Sequence, residues 1–554
     1  MRIKQVCWIL VLMSLCSVAT PNRANAQLYL TTRVHRVLLI SVDGFHAIDL
    51  SNCVAAGTCP TLAQLSATGV TYTSASTAKP SDSFPGLMAM ITGGSPVSAG
   101  VWYDAGYDRG FYPPGSNCTG PPGAPAFYFE NVDWDLTQID GGASKHGGQA
   151  INPANLPLDP SKGCTPVYPW SFLRVNTIFE VAKSTGLYTA WSDKHAGAYQ
   201  IVNGPSGTGV DDFYGPEIDS NIANYPPSPP PCTGTVWTDS ICAVEFYDNL
   251  KVVATLHQID GFDHTGTKAT AVPAIFGMNF QAVSVGQKLA NDPVGATGYA
   301  DVYGTPNPAL LNAIQFVDTS LGRMVKELQK NGLYDDTLII IGAKHGQSPI
   351  DRHKVDNTGY PGFSLPGCGA SLASGGKGCR LDDSLYTTLV PPLGTTGLLT
   401  DDDVALLWLP ASAQSQAASY VAALSDPANE FTLGIKQIYS GETLKLRYND
   451  PLVDSRTPDI VIEPNYGVIY TGGSKIAEHG GISEDDTHVA LLVSNPSFSA
   501  KVWKLPVTNM QIAPSILRAL QLNPEYLKAV QMEKTTVLPG LFYDPPDVVP
   551  LFVP

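Results

Sequence analysis

The sequence predicts a doubly wound, mostly parallel α/β sheet with helices on both faces and loop-rich insertions. Two continuous apolar runs, Arg36–Val42 and Thr337–Gly342, read as buried parallel strands, and each ends in a polar cluster. Residues 308–331 place Leu310, Leu311, Ile314, Val317, Leu321, Val325 and Leu328 at helical spacing, with Asn331-Gly332 as the cap. A helix leading straight into a strand is the alternation of a sheet wound on both faces.

In chain order, the basic start Met1-Arg2-Ile3-Lys4, the apolar run 6–19 and Ala24-Asn25-Ala26 form a secretory signal peptide over 1–26. That run is too short to span a bilayer, and no later stretch is apolar enough to do so. Residues 27–554 read as one domain with inserts at about 104–231, 265–305 and 361–397. The first strand delivers Asp43-Gly44 to the crevice where open α/β sheets bind ligands. Pro80-Ser81-Asp82-Ser83-Phe84-Pro85-Gly86 then precedes an apolar run that stops at Gly93-Gly94. This puts Ser83 at or just before a helix N-terminus, where backbone N–H groups favour an anion.

Within the Pro/Gly/Tyr/Trp-rich stretch 104–231, residues 186–191 read as a strand ending in Ser192-Asp193-Lys194-His195. His195 there is either a substrate contact or a structural strand-end histidine. Residues 243–258 read as a helix or as a strand with a helical lead-in, and deliver Asp260-Gly261-Phe262-Asp263-His264. The second strand ends in Ala343-Lys344-His345-Gly346. Further strands are expected at 404–409, 459–463, 466–470 and 489–493, and helices at 414–424 and 512–522, with Glu478-His479-Gly480-Gly481 opening a polar loop.

The 554 residues are 44% hydrophobic and 15% charged, enough for a large core. A net charge of −16 excludes a protein that coats nucleic acid. A small anion can still bind where cations dominate the local field. Cys7 and Cys16 fall in the leader; the rest form neighbouring couples, Cys53/Cys59, Cys118/Cys164, Cys232/Cys242 and Cys368/Cys379, expected as disulfides of an exported chain. There is no C-x-x-C to suggest a zinc-thiolate site.

A serine hydroxyl is a weak nucleophile until a base or a metal activates it. Zinc takes Asp and His ligands, and a pair of ions can clamp both the attacking and leaving oxygens of phosphoryl transfer. Asp43, Ser83, Asp260, His264, His345 and His479 supply those parts. A Ser-His-Asp hydrolase is disfavoured, because no G-x-S-x-G elbow surrounds any serine.

The chain resembles the type I phosphodiesterase/nucleotide pyrophosphatase group of the alkaline phosphatase superfamily, from about residue 36 to about residue 522. The resemblance lies in 37–44, in the nucleophile motif 80–85, in Thr92-Gly93-Gly94-Ser95-Pro96, in 337–346, in His479-Gly480-Gly481 and in Ile512-Ala513-Pro514-Ser515-Ile516-Leu517. It implies an alkaline phosphatase-like fold and a divalent metal cofactor, zinc, as one or two ions. Asp43, Ser83 and His345 would surround one ion, and Asp260, His264 and His479 the other. Asp263 is the alternative ligand if Asp263-His264-Thr265-Gly266 is set on the family's Asp-x-x-Gly, which would put Thr267 at a ligand position.

Two residues depart from the family pattern. Lys344 stands where the family has Asp, and an ammonium cannot ligate a metal, although it can stabilise a developing anion. Asp104 stands where a phosphate-binding Asn is expected. The implied protein is a secreted or periplasmic hydrolase of small phosphoesters, nucleotide-like ones included, and a monomer or homodimer. The alternatives are a sulfatase-like, phosphomonoester or phosphonate hydrolase, or a binding protein with a degenerate site.

Overall fold

The computed structural model describes residues 33–127, 132–226, 228–351, 354, 397–470 and 474–542. Eight strands build its central sheet: β1 (Arg36–Val42), β2 (Gly69–Tyr72), β3 (Ala190–Ser192), β4 (Asp212–Tyr214), β5 (Ile275–Phe280), β6 (Thr337–Gly342), β7 (Leu491–Ser494) and β8 (Lys501–Trp503). Their spatial order is β8-β2-β7-β6-β1-β5-β3-β4. Only β7 runs against the others, pairing antiparallel with β6 and β2.

The two-residue period of the strands divides the core. Leu38, Ile40 and Val42 of β1 face one layer, joined by Ile339 and Ile341 of β6. That layer packs under helix Pro308–Lys330 through Leu310, Ile314, Val317, Leu321, Met324 and Leu328. Val37 and Leu39 face the other layer, with Leu338 and Ile340, against helices Ser83–Thr92, Ile178–Ser184 and Ile512–Ala519. Helices therefore cover both faces, which is why the strands of the middle read as unbroken apolar runs.

A second, antiparallel sheet has the order Leu398–Asp401, Ala405–Trp408, Ile460–Pro464, Ile435–Ser440. One of its faces packs on Trp102, Tyr103 and Tyr107, the segment that follows the serine-bearing helix.

Several expectations change. The stretch 243–258, open between helix and strand in the sequence, belongs wholly to a helix, Ile241–Ile259, and the strand that follows is β5, inside the expected insert 265–305. Gly277 and Asn279 interrupt β5, so its sequence lacks the β-branched run of β1. Likewise β3 and β4 come from within 104–231. Residues 466–470 form a turn, not a strand. Cys118–Cys164 and Cys232–Cys242 are disulfides, whereas Cys53 and Cys59 are buried free thiols. Cys368 and Cys379, most of the loop 361–397 and residues 1–26, expected as a signal peptide, lie outside the described residues. No helix among the described residues is long and apolar enough to cross a membrane.

Candidate active site

Parallel strands bring their carboxyl ends to one edge of a sheet, and here that edge collects the polar residues. Val42 pairs with Phe280 and Ser41 with Gly342, so Asp43, Gln281 and the Lys344-His345 pair emerge side by side. Ser192 pairs with Met278, which carries Asp193 and Lys194 to the same edge. Ser83 arrives from the opposite side as the first residue of its helix, where Asp82 caps Phe84 N–H at 3.1 Å. Gly86 lets that helix close in, since a Cβ there would lie 2.0 Å from the Lys344 carbonyl oxygen. Ser348–Pro349 pairs with Ala477–Glu478, which sets His479 beside His345 with ring centroids 3.9 Å apart. Backbone bonds between Ser81 and Gly480-Gly481 fasten the histidine loop to the serine loop.

Ser83 Oγ lies 3.2 Å from His345 Nε2 and accepts from Lys194 Nζ at 3.0 Å. His345 Nδ1 donates to the Gly346 carbonyl at 2.9 Å, which leaves the Nε2 lone pair facing the hydroxyl. Behind them, fully buried Asp43 lies 3.4 Å from Lys344 Nζ, 3.5 Å from Lys194 Nζ and 3.5 Å from His345 Nε2. Gln281 donates to the same carboxylate at 2.6 Å. Burial opposes the charge on Asp43, but Lys344, His345 and Lys194 override it and hold the carboxyl well below its usual range. Burial also works against the Lys194 ammonium, yet Asp43 and Asp193 raise its pKa, so it stays charged. At Lys344 burial prevails over Asp193 and Asp43, and the pKa falls. The Tyr199 ring shields both ammoniums, with Nζ to centroid distances of 4.8 Å for Lys344 and 6.0 Å for Lys194.

The opposite wall is acidic. Burial pushes Asp104 well above its usual value, with Asp82 and Asp402 adding to the shift. Asp82 is raised by burial too, and His479 is driven down by burial and by His345 and Lys288, so it is held neutral.

Of the sequence candidates, the fold thus gathers Asp43, Ser83, Lys344, His345 and His479, with Asp104 in the adjoining wall. It does not gather the Asp260 group, and the expected second ligand set is corrected. Asp260 follows the helix that precedes β5 and bonds Asn331 at 2.8 Å. Asp263 is spent on the turn through Thr265, and His264 bonds Asp212 at 2.6 Å and stacks on Tyr214. These residues meet the start of the parallel strands, whereas Ser83 faces their far ends, ~20 Å away along a strand of this length.

The residues around Ser83 do not fit the implied pair of ions. Two ammoniums and an amide converge on Asp43, the one carboxylate left from the first set. The position beside Asp43 that could serve the second set holds Gln281. Sequence reading missed Lys194, Asp193, Asn279 and Gln281. Lys194 sits at a recognised strand end, but the sequence reading singles out its neighbour His195 as the candidate substrate contact. His195 itself turns to a separate cluster, with Nδ1 2.7 Å from Glu217 Oε1. His195, Glu217 and Asp219 bring potential donor atoms within 4.8 Å of one another and could hold a metal ion.

The sequence model of the type I phosphodiesterase / nucleotide pyrophosphatase family matches residues 37–166 and 298–489, more than half the chain. The unmatched stretch between them supplies Lys194 and Gln281. Among solved structures, murine ectonucleotide pyrophosphatase / phosphodiesterase 5 aligns over 88% of this chain and 96% of its own, at 14% identity and a TM-score of 0.50. The human protein of the same name aligns over 88% and 95%, at 13% identity and a TM-score of 0.47. Identities this low speak to the fold alone. No curated protein matches the chain.

Proposed function

The chain belongs to the type I phosphodiesterase / nucleotide pyrophosphatase family, and on that premise we propose that it is an exported hydrolase of small phosphoesters with Ser83 as the attacking group. The observation that carries this reading is the placement of Ser83 Oγ between the His345 lone pair, at 3.2 Å, and the Lys194 ammonium, at 3.0 Å. His345 takes the hydroxyl proton as general base while Lys194 stabilises the oxygen as it becomes negative. The Oγ–P bond forms as the bond to the leaving alkoxide breaks, and that alkoxide leaves as the alcohol after taking up a proton. Water then cleaves the phosphoseryl ester and regenerates Ser83. Lys344 and Gln281 do not reach the serine; they fix Asp43, which orients Lys194, while the Gly346 carbonyl sets the His345 ring. The divalent-ion dependence implied by the family resemblance has no support from the donors around Ser83. The two disulfides support export.

Ser83→Ala is expected to lower turnover of a chromogenic phosphodiester on the order of a thousandfold or more while leaving the fold intact. Turnover that survives the change reassigns the nucleophile. A second reading, a phosphate-binding protein without turnover, is favoured by Lys344, which stands where the resemblance places a ligand Asp, and by Lys194 beside Ser83. It is supported if the wild-type chain binds a phosphodiester and cleaves neither that ester nor a sulfate ester.

A further inference from the structure

Away from the serine, one cluster gathers buried carboxyl groups around a single histidine. Glu217 is fully buried, and its Oε2 has no hydrogen-bond partner. Asp133 is 7% exposed and lies against Glu217 and His195, and burial together with the Glu217 carboxylate raises its pKa to about 8. His195 is 6% exposed and bonds Glu217 Oε1, which also accepts from Asp219 N–H at 3.1 Å. The neighbouring cations are committed elsewhere: Lys194 turns to Ser83 and Asp43, and Lys475 to Glu478. Three carboxyl groups face one imidazole, and the bare Oε2 of Glu217 lies in a buried space, where an unsatisfied polar oxygen is costly.

We infer that His195, Glu217 and Asp219 form a divalent-cation site distinct from the one the family resemblance places at Ser83. His195, Glu217 and Asp219 give a nitrogen and two carboxylate oxygens within 4.8 Å of one another, and Glu217 Oε2 is buried there without a hydrogen-bond partner. Mixed imidazole and carboxylate donors suit zinc or manganese. Asp219 is only half-buried, so the ion has a path from solvent. The bound ion would sit next in the chain to Lys194 and hold the segment that aims its ammonium at Ser83. This inference does not depend on the hydrolase reading.

The test is equilibrium dialysis of the chelator-stripped full chain against Zn²⁺, and separately Mn²⁺, followed by elemental analysis. The wild type is expected to retain a stoichiometric ion. Glu217→Gln and the more exposed Asp219→Asn, both folded by circular dichroism, should weaken binding on the order of a hundredfold, and Asp43→Asn should leave it unchanged. Absence of a bound ion in the wild type overturns the site. So does binding that folded Glu217→Gln or Asp219→Asn leaves intact, or that Asp43→Asn abolishes. Should Glu217→Gln fail to fold, Asp219→Asn decides.

Discussion

At the scale of single residues, two lysines crowd Asp43, where the family resemblance implies a metal ligand. Lys344 and Lys194 neutralise Asp43 from two directions, and their own charges would repel an ion brought to Ser83. Asp104 shows the opposite adjustment. An ionised carboxylate there would repel an anionic substrate, but burial and the neighbouring Asp82 and Asp402 favour its neutral form. Because its pKa is raised in the folded state, raising the pH ionises it and places new negative charge in the pocket wall. The KM for an anionic phosphodiester is therefore expected to climb with pH, and Asp104→Asn should flatten that climb while leaving the acid-side KM nearly unchanged. A pH series of KM for the two proteins checks this; identical profiles would remove Asp104 from substrate binding.

At the scale of elements, helix Ser83–Thr92 is the part most tightly set. Every residue in it is buried, Asp82 caps its start and Gly93 ends it in the left-handed conformation at φ 78°. Its contact with the strand edge depends on Gly86, whose missing Cβ makes room for the Lys344 backbone. Gly86→Ala drives a methyl group into that carbonyl and should cost about 3 kcal/mol of stability, measured by denaturant unfolding. It should also lower turnover by displacing Ser83 from His345. A fully stable variant would show that the helix can retreat without consequence.

At the scale of the whole molecule, two buried arginines join the second sheet to the chain that follows the serine helix. Arg109 pairs with Asp459 and donates to the carbonyls of Leu409, Ser455 and Thr457, while Arg456 bonds Asp108 at 2.7 Å. Arg109→Ala leaves Asp459 buried without its guanidinium and is expected to destabilise the fold by about 3–5 kcal/mol in urea unfolding. Unchanged stability would mean that apolar packing on Trp102 and Tyr107 alone couples the sheets.

The sequence by itself determined the sheet's middle strands, the long amphipathic helix and the position of Ser83 at a helix start. These follow from local signals: apolar runs, helical spacing, proline and glycine punctuation, and polar residues at strand ends. Only the tertiary structure decided which strand end lies beside Asp43. The interrupted strand β5 carries too weak a pattern to be seen, so the Asp260 motif was credited with a place that Gln281 occupies. The same holds for Lys194 and the His195 cluster, since an ammonium bonded to a serine and carboxylates left without partners are facts of packing. Sequence spacing fixes which residues leave a strand together, but the direction and register of neighbouring strands fix which of them meet.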